Sequence, residues 1–179
     1  MVLARLFRRK PFEREGYELY GAAVAAARAP AYYLDYAVAD TLQGRFDLVG
    51  LHVALLIRRL RHDPAPEGQT LAQAVFDAMF NDMDVNLREM GVGDMSISKR
   101  VKSMWEAFHG RAQAYEAALD ATDPEALAEA LIRNLWAGVA PEDATAAPRL
   151  AARAIALDGA LAAQPMAGLR AGRLVFPAL

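Results

Sequence analysis

Apolar residues recur at three- and four-residue spacing over more than twenty positions near the middle of the chain. They are Ile97, Val101, Met104, Trp105, Phe108, Ala112, Tyr115 and Leu119. This spacing places the side chains on one face of an α-helix. No segment alternates between apolar and polar residues for long enough to predict a strand. The sequence therefore predicts an all-α protein.

Proline and glycine residues divide the rest of the chain into further predicted helices. Residues 43–45 are predicted to form a turn, Thr70 to cap one helix, and either Ser96 or Ser98 to cap the next. The helices are predicted over residues 15–28, 31–41, 46–61, 70–90, 97–119, 124–138 and 149–163. We expect a single-domain bundle of six to seven helices over residues 15–163. A basic N-terminal segment (residues 1–14) precedes this domain, and a loose C-terminal tail (residues 164–179) follows it.

Composition argues against several classes of protein. The 179 residues fit one domain. The chain has no cysteine, so disulfides and thiolate metal sites are excluded. A formal charge of −2 is unlike that of a nucleic-acid-binding domain. The longest stretch without a charged residue is 159–169, which is too short for a membrane span of roughly 20 apolar residues.

The sequence carries no recognisable catalytic centre. The three histidines, His52, His62 and His109, are scattered and lack the spacing of metal ligands. We predict that His52 is a core histidine with a backbone partner, that the protein is not an enzyme, and that it needs no cofactor or metal. The alternative is a helical haem-handling or cofactor-carrier protein that uses His52 or His109.

The N-terminal segment combines cations with apolar residues. Such a segment is typical of a weak contact with anionic lipid, although a frayed or capping N-terminus has the same appearance. The candidate membrane-contact residues are Arg5, Phe7, Arg8, Arg9 and Lys10.

Methionines and charges are unevenly distributed around the Gly91 and Gly93 turn. Five of the seven methionines lie within residues 79–104, and methionine suits surfaces that adapt to an apolar partner. Met90 and Met95 are expected to be exposed. Acidic residues precede the turn and basic residues follow it, which predicts either a set of interhelix salt bridges or a docking surface for a charged partner. These residues are Asp82, Asp84, Glu89 and Asp94, and then Lys99, Arg100 and Lys102.

Two blocks of the sequence resemble the ubiquinol–cytochrome c chaperone family. The first block comprises residues 39–41, 44–47, 51–52 and 58–60. The second extends over residues 84–115 and contains Leu-Arg-Glu-Met-Gly-Val-Gly-Asp at residues 87–94, followed by Lys99, Lys102, Met104, Phe108, Gly110, Arg111 and Tyr115. The resemblance covers about residues 30–137.

This resemblance implies a helical, non-enzymatic chaperone that binds newly made cytochrome b for the assembly of respiratory complex III. Without a targeting extension, the chain resembles a bacterial member that acts in the cytoplasm at the inner membrane. The resemblance leaves open whether a small partner subunit or the ribosome takes part. Together with the charge pattern, it yields the candidate partner-binding residues Asp40, Arg45, Phe46, Asp84, Arg88, Glu89, Met90, Gly91, Gly93, Asp94, Met95, Lys99 and Lys102.

Overall fold

The structure, a computed structural model, describes residues 10–178, with the backbone alone for residues 94 and 95. This part of the chain forms eight helices and no strand, so the predicted all-α bundle is confirmed, with two helices of four residues each in addition to six longer ones. The helices are α1 (Glu13–Ala27), α2 (Ala31–Leu34), α3 (Leu42–Arg61), α4 (Pro66–Glu89), α5 (Asp94–Asp120), α6 (Pro124–Leu135), α7 (Ala146–Ala162) and α8 (Met166–Leu169).

Helix α3 is the centre of the bundle. It contacts α1, α4, α5, α6 and α7. Leu48, Leu51, Leu55 and Leu56 of α3 are at most 1% exposed. Because α3 packs against five helices, burial of its leucines supplies much of the hydrophobic stabilisation of the fold.

Three predicted helix starts are wrong. Residues 43–45 lie in the first turn of α3, because Thr41 caps this helix and its Oγ1 accepts a hydrogen bond from the Gly44 N–H at 3.1 Å. Helix α4 begins at Pro66, so Thr70 lies inside it; proline at the first helical position needs no hydrogen-bond donor. Helix α5 begins at Asp94 after Gly93, so neither serine is a cap. The predicted start of α6, by contrast, is confirmed: the helix begins at Pro124, and Asp123 accepts hydrogen bonds from two N–H groups of the first turn.

The other differences concern the ends of the chain. Of the helix predicted over residues 31–41, only the four residues of α2 (Ala31–Leu34) are helical. The C-terminal segment is not loose. Leu169 of α8 is fully buried, and the Phe176 ring lies 5.3 Å from the ring of His52 in the core. Gln164 and Val175 are joined by two hydrogen bonds, which fold this segment back against the bundle.

Helices α4 and α5 form a hairpin, and the first part of α5 extends past the start of α3. Helix α5 lies parallel to α3, and Arg111 of α5 is paired with Asp47 of α3. Seventeen residues of α5 precede Arg111, but only five residues of α3 precede Asp47. At 1.5 Å per residue, α5 therefore extends roughly 18 Å past the start of α3. Helix α6 is too short to cover this part, since its 12 residues begin next to the end of α5.

Of the helices within residues 10–178, none combines the length and the apolar character required to cross a membrane.

Candidate functional site

Part of the two sequence blocks holds the helices together. Asp47, from the first block, is 5% exposed and accepts hydrogen bonds from Arg111, of the second block, and from Gln43. Burial raises the pKa of the Asp47 carboxyl above its usual value, although Gln43 and Arg111 both act to lower this pKa. The pair therefore fixes α5 against α3, and it is not accessible to a ligand as a site.

Arg58 and Arg59 have the same structural role. The Arg58 guanidinium lies 2.6 Å from Asp120 of α5 and 3.2 Å from Asp158 of α7. Arg59 donates to the backbone carbonyls of Leu161 and Gln164 at 3.0 and 2.9 Å, where α7 ends. These contacts join α3 to α5 and to the end of α7.

His52 is a core histidine with a backbone partner, as predicted. It is fully buried, and its Nδ1 lies 2.8 Å from the Leu48 carbonyl oxygen, which requires that Nδ1 donate. Its Nε2 then accepts from the Tyr32 hydroxyl at 3.0 Å. Both ring nitrogens are occupied, so His52 is not free to bind a metal or a haem iron.

The stability of the protein is expected to fall between neutral and mildly acidic pH because of His52. Burial, as the main cause, lowers the pKa of His52 from 6.5 to about 4. Between these values the unfolded chain binds the proton and the folded chain does not, so acid favours unfolding. Urea denaturation should show a loss of about 2 kcal/mol in the free energy of unfolding from about pH 7.5 to about pH 5. His52→Gln should remove most of this loss, and the exposed control His62→Gln should retain it. An unchanged loss in His52→Gln would show that other groups cause it.

The remaining candidate residues of the first block lie at the start of α3. Asp40 and Arg45 are exposed and form an ion pair with each other at 2.6 Å. Phe46 is half-buried against the core. In the described part of the chain, no hydrogen bond or ion pair joins these residues to the α4–α5 turn. The structure therefore does not unite them with the second block as one site.

The candidate residues of the second block lie at the end of the α4–α5 hairpin and are largely exposed. Met90 is 59% exposed and Val85 51% exposed. Gly91 has a φ of +76°, in the left-handed region that favours glycine, and this residue reverses the chain after α4. We define the hairpin surface as Asp84, Val85, Arg88, Glu89, Met90, Gly91, Gly93, Lys99, Lys102 and Trp105.

Among the side chains that the structure describes, no ion pair joins α4 to α5 across the hairpin surface. Within the described residues, Arg88 pairs with Asp84 of its own helix at 2.7 Å, and Lys102 lies 3.9 Å from Glu106 of its own helix. Glu89, Lys99 and Arg100 are exposed, and the described part of the chain offers them no ion-pair partner. These charges are therefore available to another molecule.

An aromatic strip lies beside these charges, where the sequence predicted only core packing. It consists of Phe76 and Phe80 of α4 and Trp105 and His109 of α5. Trp105 is 45% exposed, and its ring lies 4.1 Å from the His109 ring, which in turn lies 5.3 Å from the ring of Phe76. Phe76 and Phe80 are half-buried, with centroids 4.5 Å apart. Helical spacing alone did not reveal this strip, since α5 extends past the helices that would cover Trp105.

Several candidate residues fall outside what the structure describes. Arg5, Phe7, Arg8 and Arg9 precede the described part of the chain, and the side chains of Asp94 and Met95 are outside it. Lys10, the remaining candidate for lipid contact, is exposed and pairs with Asp77 of α4 at 2.8 Å. Among the side chains that the structure describes, no three of the metal-binding types come together.

Comparisons with known proteins place the chain in a family. The sequence matches the profile of the ubiquinol-cytochrome C chaperone family over residues 34–176, so the match extends beyond the expected range into the C-terminal segment. The crystal structure of the Cbp3 homolog from Brucella abortus is similar, with a TM-score of 0.82 and 36% sequence identity over 99% of this chain and 97% of that one. A search of the curated proteins gives no match. Since the profile covers most of the sequence, the protein belongs to the ubiquinol-cytochrome C chaperone family.

Proposed function

We propose that the protein is an assembly chaperone of ubiquinol–cytochrome c reductase (complex III), and that its client is newly made cytochrome b. Family membership supports the coarser part of this proposal, a chaperone in the assembly of complex III. The finer part, cytochrome b as the client, follows from the resemblance of the two sequence blocks. The chemistry of the hairpin surface is compatible with such a client.

The exposed hairpin surface is the observation that carries the proposal. Met90, Val85 and Trp105 are each at least 45% exposed, and all three lie on the α4–α5 hairpin. Exposed apolar surface that is bordered by charges marks sites of protein interaction more often than isolated apolar residues do. A membrane subunit exposes apolar helices before it is inserted, and these helices need a partner with both apolar and charged groups.

His52 does not favour the haem-handling alternative. A haem iron needs an imidazole nitrogen with a free lone pair. His52 uses both ring nitrogens inside the core. His109 donates from Nδ1 to the Trp105 carbonyl, so its Nε2 keeps a lone pair, and a haem titration that produces no Soret shift is the test that excludes this residue. We propose, in line with family membership, that the protein acts by binding its client and not by carrying a cofactor.

We also propose that the protein works at the inner membrane, where its client is inserted. Weak contact of the N-terminal cations with anionic lipid would support this placement. Of those cations, the described Lys10 has 69% of its side chain exposed.

Deletion of the gene tests the proposed function. We expect the mutant to lose most of its assembled complex III while other respiratory complexes remain at normal levels. Blue native gels and reduced-minus-oxidised spectra of the membranes measure both. The full-length protein supplied from a plasmid should restore complex III. Normal complex III levels in the deletion strain would contradict the proposal.

A further inference from the structure

The two helices of the hairpin carry opposite charges at its end. In α4, residues 82–89 contain three acidic residues and Arg88 as the single cation. In α5, residues 96–105 contain Lys99, Arg100 and Lys102 and no acidic residue. The hairpin surface therefore has an acidic edge on α4 and a basic edge on α5.

The basic edge contributes little to the stability of the fold. Lys99 and Arg100 form no ion pair with described residues, and the side chain of Lys102 is 77% exposed. Helix α5 begins at Asp94, so these cations lie in its second and third turns, where the helix dipole has little effect. Exposed ion pairs such as that of Lys102 and Glu106 contribute little in any case.

The basic edge lies next to an apolar anchor. Lys102 and Trp105 are three residues apart, so they share one face of α5. Trp105 belongs to the aromatic strip, and its ring lies 4.1 Å from the ring of His109. A partner helix that places apolar side chains on Trp105 would bring its neighbouring residues within reach of the cations. Tryptophan is common among the residues that dominate binding energy at interfaces.

We propose that the basic edge of α5 binds an acidic stretch of the client that adjoins an apolar helical segment. This inference rests on the proposed function and names the chemistry that the hairpin surface recognises. Asp84 and Glu89 beside the turn disfavour an anionic membrane as the occupant, since they would be repelled from it. A protein segment, in contrast, places its carboxylates only along α5, and charge complementarity of this kind determines orientation and partner choice.

A peptide array that covers the sequence of cytochrome b tests the inference with the full-length chaperone. We expect the bound peptides to combine apolar residues with Asp or Glu. Lys99→Glu/Lys102→Glu should weaken binding to these peptides about tenfold at low salt, and added salt should weaken the wild type. The control Arg133→Glu/Arg173→Glu makes the same charge change on other exposed parts of the chain and should bind like the wild type. Circular dichroism checks that all variants are folded.

The outcomes separate this inference from the proposed function. Peptides in which Asp and Glu are replaced by Lys should bind the Lys99→Glu/Lys102→Glu variant better than the wild type. Equal binding of wild type and variant to every bound peptide overturns the inference and leaves the proposed function intact. The inference is also overturned if the wild type binds vesicles that contain anionic lipid, the variant does not bind these vesicles, and the wild type binds no peptide of the array. Failure of the wild type to capture cytochrome b from crosslinked membranes overturns both.

Discussion

Arg111→Ala is expected to lower the free energy of unfolding by about 3 kcal/mol, because it leaves the buried Asp47 carboxylate without its cation. Asp47 is 5% exposed, and the remaining partner, Gln43, is neutral. Burial already raises the pKa of Asp47 with Arg111 in place, which indicates that the pair only partly offsets the cost of removing the carboxylate from water. Urea denaturation at pH 7, followed by circular dichroism, measures the change.

The double variant Asp47→Leu/Arg111→Met separates loss of a partner from loss of the pair. Replacing both groups with apolar residues leaves no buried charge, so this variant should be clearly more stable than Arg111→Ala. Arg133→Ala, which removes an exposed arginine of α6, serves as the control and should unfold like the wild type. If the double variant is no more stable than Arg111→Ala, the side chains contribute by packing and not through a buried charge.

Met90→Ser/Trp105→Ser should reduce the capture of cytochrome b from crosslinked membranes to about a tenth or less, since two anchoring apolar side chains are lost. The two residues are 59% and 45% exposed, so their replacement should change the stability of the protein little. Quantitative immunoblotting of the copurified client measures the effect, and urea denaturation shows whether the fold is retained.

Val139→Ser/Ile155→Ser is the matched control for this prediction. Val139 is 73% exposed and Ile155 39% exposed, and both lie outside the hairpin. This variant removes a similar amount of exposed apolar surface and should capture the client normally. Equal losses in the two variants would indicate nonspecific adhesion of the client, and no loss in either would place the docking site elsewhere.

The helices could be predicted from the sequence, but several of their starting points could not. Periodicity identified α3, α4 and α5 because each buries one face or more against the bundle. The starts of these helices were missed where a residue typical of turns or of helix caps lies inside the helix. Thr41 caps α3 before a glycine that was interpreted as a turn, and Gly93 precedes α5 although serines follow. Capping preference is a local signal, and tertiary packing selects among its candidates.

The candidate site could be predicted only in part. The two sequence blocks mix structural and exposed residues, and sequence alone does not distinguish them. Asp47 and Arg111 are 64 positions apart and meet only in the folded bundle. The exposure of Trp105 depends on how far α5 extends past α3, which is a property of helix lengths and packing. The charge pattern was visible in the sequence, but its alternative explanation as interhelix pairs required the structure to test it.

Site-specific photocrosslinking from the hairpin tests the central claim most directly. A photoreactive benzoyl-phenylalanine at Met90, and separately at Trp105, is introduced into the full-length protein in living cells. After irradiation, we predict a crosslinked product that contains cytochrome b from both positions, and none from the same probe at Ile155 on α7. Crosslinks to cytochrome b from Ile155 alone, with none from Met90 or Trp105, would contradict the assignment of the hairpin as the surface that receives the client.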